Sequence, residues 1–533
     1  MSVQKPHDAY LLFFTQLKLN FKMKNIIILI ISSSFISFHS FSQPITEWEK
    51  KLNYTHEDNL LDFVTLADGS FLGIGTTELT FRSSIFEYAC YKFDCNGNIK
   101  WIKKFPDRII TNEFIMIDTM DKEKLFVYGY IGRAKDTIVN YVGSVSIIDT
   151  AGNILKNREF SGNGPVSVSK IISNNDQTFT VVVNSIATDN IFQGNKGLRD
   201  IWLLKVDKNL NILSKKNIGG SGNDFGATII KLKDNNYILV GGTTSRDGDI
   251  KAVYSSQDAF VMKLTNNFDI LWSTTFGGNQ SEFINDVIEM PDRGLIVGGG
   301  SDSYDGAFQG QPKGFYSDAF VARINPSGGV SWVRSLGVDK VKNPQYVVWP
   351  PSLLPIDSTN FLVNTSGKTD EGLLNSINPV PWLLKMNTKG ETVWKKSYGT
   401  QARLLWYQSN RMRMLPDRSL LLVGQREDSL SNGRDFSLFK LSPLAPEKTD
   451  ECGKLVLYPN PTAKDVKLKT AEYFLPNSTI KVIDVLGRNV FNGVIGKNCQ
   501  EFEVELPASL SMGMYFLQIE SIKNCTLPFV KGQ

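Results

Sequence analysis

Only three histidines, His7, His39 and His56, occur in the 533 residues. The first two fall in an N-terminal segment read below as a leader, which leaves His56 alone in the rest of the chain. That count argues against Ser/His or Cys/His catalysis and against histidine-rich zinc sites. Five cysteines, Cys90, Cys95, Cys452, Cys499 and Cys525, form no CxxC pair. Their odd number leaves at least one thiol free or paired between chains. Catalysis, if present, therefore falls to carboxylates. Asp200, Asp258, Asp318 and Asp435 hold equivalent places in similar stretches of sequence. A catalytic pair needs two unequal carboxylates facing one cleft, not a copy in most repeats. The four are expected instead to take up backbone N–H groups where strands begin. No catalytic residue is assigned. Glu282, Asp286 and Glu289 are the candidates should an acid–base pair exist.

Two longer segments, SRDGDIKAVYSSQD (245–258) and SDSYDGAFQGQPKGFYSD (301–318), are rich in Asp and Gly. Asp247 with Asp249, and Asp302 with Asp305, offer oxygen ligands of the kind calcium takes, although neither segment follows the twelve-residue loop closed by Glu. Solvated turns are the alternative reading. Tyr304, Phe308, Tyr316, Trp349 and Trp406 lie in or near loops and could stack on sugars, with core packing as their alternative role.

These residues must be held by elements, and the sequence names them through repetition. DAFVMKLTNNFDILWSTTFGG (258–278) recurs as DAFVARINPSGGVSWVRSLG (318–337) and, more loosely, as DIWLLKVDKNLNILSKKNIGG (200–220), EYACYKFDCNGNIKWIKKF (87–105) and PWLLKMNTKGETVWKKSYG (381–399). Each copy follows a hairpin such as IIKLKDNNYILVGGTT (229–244), whose period-two alternation breaks at turn residues. Four strands per repeat is the pattern of a propeller blade. Seven repeats are counted. Trp101, Trp272, Trp332 and Trp394 share one slot, held by Lys156 and Ser214 in two further copies. The last copy stops at DFSLFKL, lacking a fourth strand. ITEWEKKL (45–52), with Trp48 in the slot, is the spare strand expected to complete it, which would remove a sheet edge. In this frame Cys90 takes a core strand position. The fold class is thus all-β: a seven-bladed β-propeller over 43–445, followed by a small C-terminal β-sandwich.

Hydrophobic residues make up 41 % and charged residues 21 % of the chain, and the net charge is +4. No Lys/Arg-rich run marks a nucleic-acid partner. FKMKNIIILIISSSFISFHSFSQ (21–43) has the basic start, apolar stretch and small residues of a signal peptide. Residues 1–42 are read as that leader, with Met23 as an alternative start. Its apolar run is too short and serine-broken to span a bilayer, so no membrane span is expected in the mature protein.

At the other end, LSPLAPEKTDE (441–451) is polar and proline-bearing, and 446–452 reads as a linker. Short alternating strands then follow to the C-terminus. Residues 453–533 resemble the type A C-terminal sorting domain of the type IX secretion system of Bacteroidota. The resemblance rests on Tyr458, Pro459, Asn460 and Pro461, then Gly487 and Arg488 after an apolar strand, then Gly513 and Tyr515 in L…L..G.Y.L.I, then Lys531 closing the last strand. It implies Sec export followed by recognition by the outer-membrane type IX machinery, leaving the passenger secreted or on the cell surface. The upstream repeats resemble β-propeller repeats of large exported bacterial proteins, which implies a fold but no activity. The expected function is a non-enzymatic binding or adhesion module for a glycan or surface protein, with no organic cofactor and at most calcium. The alternative is a carboxylate-dependent glycan-active enzyme.

Overall fold

The structure is a computed structural model. It describes residues 43–531 except 53–57, 67, 79–85, 111–114, 136–137, 175, 255, 312–317, 337–349, 368–379, 399–403, 416–417, 429–432, 443, 445–454, 459–464, 475–477, 485–487, 496–498, 508–509, 512 and 520–525. The expected leader, 1–42, and the linker, 446–452, lie outside the described residues.

Seven four-stranded antiparallel sheets follow one another along the chain. Their first strands are Asp58–Thr65, Ile115–Thr119, Val166–Ser173, Asp224–Lys231, Glu282–Glu289, Ser352–Pro355 and Leu404–Met414. Each of these touches the first strand of the next sheet, and the seventh touches the first, so the seven line a common axis. The fourth strands lie outermost. In sheets one to six they are Ile99–Ile110, Ile154–Phe160, Ile212–Ile218, Ile270–Phe276, Val330–Ser335 and Thr392–Ser397. The seventh sheet has only three strands of its own, ending at Gly433–Leu441. Its fourth is the N-terminal strand Thr46–Leu52, paired antiparallel to Gly433–Leu441. Leu60, Phe63 and Tyr91 of the first sheet share one buried cluster with Leu421, Val423 and Phe436 of the seventh, and this core closes the ring.

The turns before the outer strands are set by short polar side chains. Asp94 Oδ1 accepts hydrogen bonds from Asn96 N and Asn98 N at 3.0 and 2.8 Å, and Asp149 and Asp207 repeat the arrangement. Three residues on, the same turn holds a residue in the left-handed region: Gly97 at φ 77°, Gly152 at 74°, Leu210 at 64° and Phe268 at 67°. The Trp slot explains the choice. A methyl group on Gly97 would lie 2.6 Å from the Trp48 ring, and one on Gly152 would lie 2.7 Å from Trp101, each Trp belonging to the preceding sheet. Trp272 and Trp332 sit likewise over Gly328 and Gly390. Where the preceding slot holds Lys156 or Ser214, the turn residue is Leu210 or Phe268, both buried. The bulk has moved from one side of the joint to the other.

The C-terminal segment forms two further sheets. One is Leu455–Tyr458, Asp465–Phe474 and Cys499–Glu505; the other is Asn489–Ile495, Ser478–Asp484, Gly513–Ile519 and Thr526–Lys531. Val466 and Val504 of the first share a core with Ile480, Val482, Ile495, Leu517 and Ile519 of the second. Pro528 lies on the edge strand opposite Phe516, where a missing N–H breaks no inner ladder.

Candidate functional site

Five of the seven axial strands slip register at the same place, between Leu60 and Asp62, Val168 and Lys170, Gly226 and Thr228, Ile284 and Asp286, and Ser409 and Arg411. A bulge sets two residues against one on the partner strand and re-aims the side chains there. Four of the five positions after the slip carry a charge. With Asp118 and Arg413, these residues gather three carboxylates and three cations at the axis.

Asp62 and Asp286 occupy the same slot and do the same work. Asp62 Oδ1 accepts from its own neighbour Phe63 N at 2.9 Å, and Oδ2 from Ile117 N of the next sheet at 3.2 Å. Asp286 Oδ1 accepts from Val287 N at 2.9 Å, and Oδ2 from Leu353 N of the next sheet at 2.8 Å. The two strands clamped in this way are the two short axial strands without a register slip.

The cations divide unevenly among these acids. Lys170 Nζ lies 2.6 Å from Asp118 Oδ2, which also accepts from Tyr128 Oη at 2.7 Å. Burial pushes the Asp118 carboxyl up, but the Lys170 ammonium, with Tyr128 and Arg413, holds it below the usual carboxylate range. Burial, and then the charges of Asp118 and Asp62, push the Tyr128 phenol well up. Arg413 lies 3.4 Å from Asp62 Oδ1. Arg411 Nε reaches the same oxygen at 3.6 Å, and its Nη2 is 3.3 Å from Met116 Sδ, a weak acceptor. Burial raises the Asp286 carboxyl, against the opposing pull of the Leu353 N–H and the Arg411 charge.

Beside this network is an axial cavity of about 240 Å³. Lys170, Arg411, Asp286 and Asn285 line it, together with Phe225 and Phe283, which hold equivalent positions on adjacent axial strands and are both half-buried. Asn285 Nδ2 donates to Pro351 O at 2.9 Å, while its Oδ1 is buried and accepts no hydrogen bond. Of this site the sequence had singled out only Asp286. Asp62, Lys170 and Arg411 escaped because each reads as a slip in the strand alternation. The recurrence of a polar residue at that slip in several repeats was the available signal.

The loop acids have different partners. Asp247 Oδ1 accepts from Ser221 N at 2.7 Å and Asp249 Oδ2 from Gly219 N at 3.1 Å, so both brace the connection into their own sheet. Asp249 also pairs with Lys196. Asp305 Oδ1 takes Asn279 N at 2.9 Å in the connection into its own sheet, and Asp302 N donates to Ser281 O at 2.9 Å. Among the described residues, no three His, Cys, Asp or Glu side chains gather as a metal site would require. Phe308 belongs to the core, edge-on to Phe320 at 5.2 Å, rather than to a sugar platform. Trp406 lies within the axial strand Leu404–Met414 and not in a loop, while Trp349 and Tyr316 lie outside the described residues. Tyr304 is exposed.

The repeated Asp slot resolves into carboxylate pairs. Asp200 Oδ2 accepts from Lys196 N at 2.6 Å and Asn217 Nδ2 at 2.9 Å, and its Oδ1 is buried without a hydrogen bond. A methyl group on Gly219 would meet that oxygen at 2.3 Å and Asp224 Oδ2 at 3.0 Å, so two acids crowd one glycine. Asp258 and Glu282 crowd Gly277 in the same way. Burial foremost pushes the Asp200 and Asp224 carboxyls up, and the Asp224 charge adds to the shift at Asp200. Asp318 is also buried, and the side chain of Asp435 lies outside the described residues.

In the C-terminal segment, Tyr458 ends its strand, and 459–461 and Gly487 lie outside the described residues. Arg488 donates from N and Nε to the Asp484 carboxylate at 2.9 and 2.7 Å, closing a hairpin turn. Gly513 pairs with Lys531 across the last two strands. Buried Tyr515 donates to Ser511 O at 2.8 Å. Cys90 is buried and its thiol is pushed up to about 12 by desolvation, which makes it inert; Cys95 is exposed, and both are free. Cys452 and Cys525 lie outside the described residues.

Residues 456–528 match the family described as a secretion system C-terminal sorting domain. The protein is accordingly exported by type IX secretion, to be released or kept at the cell surface. Among the described residues no helix is long and apolar enough to cross a membrane. No curated protein is similar enough to the chain to count as a relative. Several solved structures are loosely similar. One is the GH93 alpha-L-arabinofuranosidase of Fusarium graminearum with arabinobiose: 11 % identity, TM-score 0.38, covering 60 % of this chain and 92 % of that one. Another is a PL25 ulvan lyase bound to -[GlcA(1-4)Rha3S]-, at 11 % and 0.42, covering 74 % and 96 %. A third is Sqt1 from Chaetomium thermophilum, at 9 % and 0.38, covering 72 % and 97 %. At such scores none of them bears on what this chain binds or does.

Proposed function

We propose that the repeat domain is a non-enzymatic binding or adhesion module, carried outside the cell by its C-terminal sorting domain, with its ligand at the axial cavity. The observation that carries this reading is the engagement of the axial carboxylates. Asp62 and Asp286 each hold two backbone N–H groups, and Asp118 is paired with Lys170 and Tyr128. Hydrolysis of a glycoside asks for one carboxyl free to donate a proton and a second free to attack or to activate water. Here each carboxylate already has a fixed structural partner. A rigid cavity with charged, amide and aromatic walls suits recognition.

One observation favours the enzyme as the second reading: the Asp286 carboxyl is raised by burial and lines the cavity, as a general acid would be. The test is a panel of polysaccharides and oligosaccharides presented to the purified protein, scoring retained protein and newly formed reducing ends together, with and without calcium. Retention without release is expected. Release of reducing ends that is abolished by Asp286→Asn would establish the enzyme instead.

A further inference from the structure

The axial cavity has donors that the described residues leave unmatched. Among the described residues, Asp62 is the one carboxylate within ion-pair range of both Arg413 and Arg411, and Arg413 is the nearer. Beyond that 3.6 Å contact, Arg411 has among the described residues only the Met116 sulfur as an acceptor, although a guanidinium carries five N–H donors. Lys170 uses one of its three donors on Asp118. The third acid, Asp286, faces backbone N–H groups and forms no ion pair among the described residues. Arg411 is thus a cation sharing another cation's counter-ion at the wall of a cavity. Asn285 lines the same wall. Phe225 and Phe283 add two neighbouring ring faces.

We propose that this cavity takes one acidic sugar unit, its carboxylate or sulfate held by Arg411 and Lys170, and its apolar face against Phe225 or Phe283. The inference rests on the binding reading above and names the ligand class for that site. The size agrees: about 240 Å³ is below the usual range of drug-sized pockets. It suits a single ring, with the rest of a chain lying outside.

Titration calorimetry of the full chain would use three probes of equal length: a trigalacturonate, a sulfated galactose trisaccharide and plain galactotriose. Binding of either acidic probe, weakening as salt is raised, with galactotriose at least about 10-fold weaker, is expected for a charge-assisted contact. The two acidic probes separate the carboxylate source from the sulfate source. Arg411→Gln should weaken the acidic probe by about 10-fold or more, and Arg411→Lys should restore part of that loss. Asn285→Asp, which places a negative charge beside the ligand, should do the same without removing a fold-bearing ion pair. Thermal melting of each variant separates lost binding from lost folding. Equal binding of all three probes, indifferent to Arg411→Gln and Asn285→Asp, would overturn the acidic-ligand inference and leave the binding reading standing. Failure of both acidic probes, with another ligand from the panel retained, would overturn it too. Failure of every saccharide would overturn both.

Discussion

Asp200 and Asp224 show how a repeated residue can resemble a site and act as a joint. Each carries burial that raises its carboxyl, and Asp200 keeps one oxygen without a hydrogen bond beside its neighbour's charge. A raised folded-state pKa makes the native state hold its proton more tightly than the unfolded chain does. The associated stability is therefore full below the unfolded carboxylate range and is lost as pH rises through the folded value. Asp200→Asn should remove that loss. Its amide oxygen can keep the hydrogen bonds from Lys196 N and Asn217, while its Nδ2 turns a repulsion into a donor toward Asp224. A gain of about 1 kcal/mol at neutral pH is expected, shrinking as pH falls into the acid range where Asp224 and Asp200 protonate. Thermal melts of both proteins from acid to neutral pH would show it, and a variant less stable at every pH would refute it. The axial residues were harder to find from sequence. Asp62 and Lys170 interrupt an alternating strand, and only the bulge explains why a charge there faces the axis rather than solvent.

At the level of elements, the joint between neighbouring sheets can be filled from either side. Trp101 over Gly152 is one solution, and Lys156 opposite buried Leu210 is the other. The Leu210 carbonyl is held by Arg158 Nη1 at 2.9 Å, as the Gly328 carbonyl is held by Thr274 Oγ1 at 2.7 Å, so the two joints are equivalent. Leu210→Gly alone should destabilise by about 2–5 kcal/mol through the hole it leaves. Lys156→Trp alone should crowd Leu210 and cost about 1–3 kcal/mol. The double variant rebuilds the Trp–Gly joint and should recover much of both losses, with a coupling of about 1–3 kcal/mol in a denaturation cycle. Additive losses would mean that the two residues do not share the joint. The Trp slot itself was plain in the sequence, because period-two strands keep it in register from repeat to repeat. Its partner was not, because a left-handed Leu or Phe looks out of place until the ring of the preceding sheet is seen to be missing. The loop acids carry a related lesson. Asp247 and Asp305 look like calcium ligands in isolation, yet they accept backbone N–H groups from Ser221 and Asn279, partners that only the folded connections bring near.

At the scale of the molecule, export and ring closure lie at opposite ends of the chain. Removing 456–528, the sorting domain, should leave the protein inside the cell envelope, which fractionation and blotting would report; unchanged extracellular protein would contradict its role. Removing 45–52 should expose the Gly433–Leu441 strand as an edge, lower the melting temperature and promote self-association. A synthetic peptide of those eight residues, added in trans, should reverse both effects, and a truncated protein that melts like the parent would remove the strand from the account of stability. The closing contact Ile45 N to Ser442 Oγ joins residues 397 apart in sequence. Loop-closure entropy grows only logarithmically with length, by roughly 0.6 kcal/mol per doubling, so the long span adds little to the thermodynamic cost. Its effect is on timing. Thr46–Leu52 precedes every other described strand yet must wait for Gly433–Leu441, so no intermediate chain length can close the ring. A chain cut short at any sheet keeps an open edge and an idle first strand. The ring can thus close only once the last blade has been made.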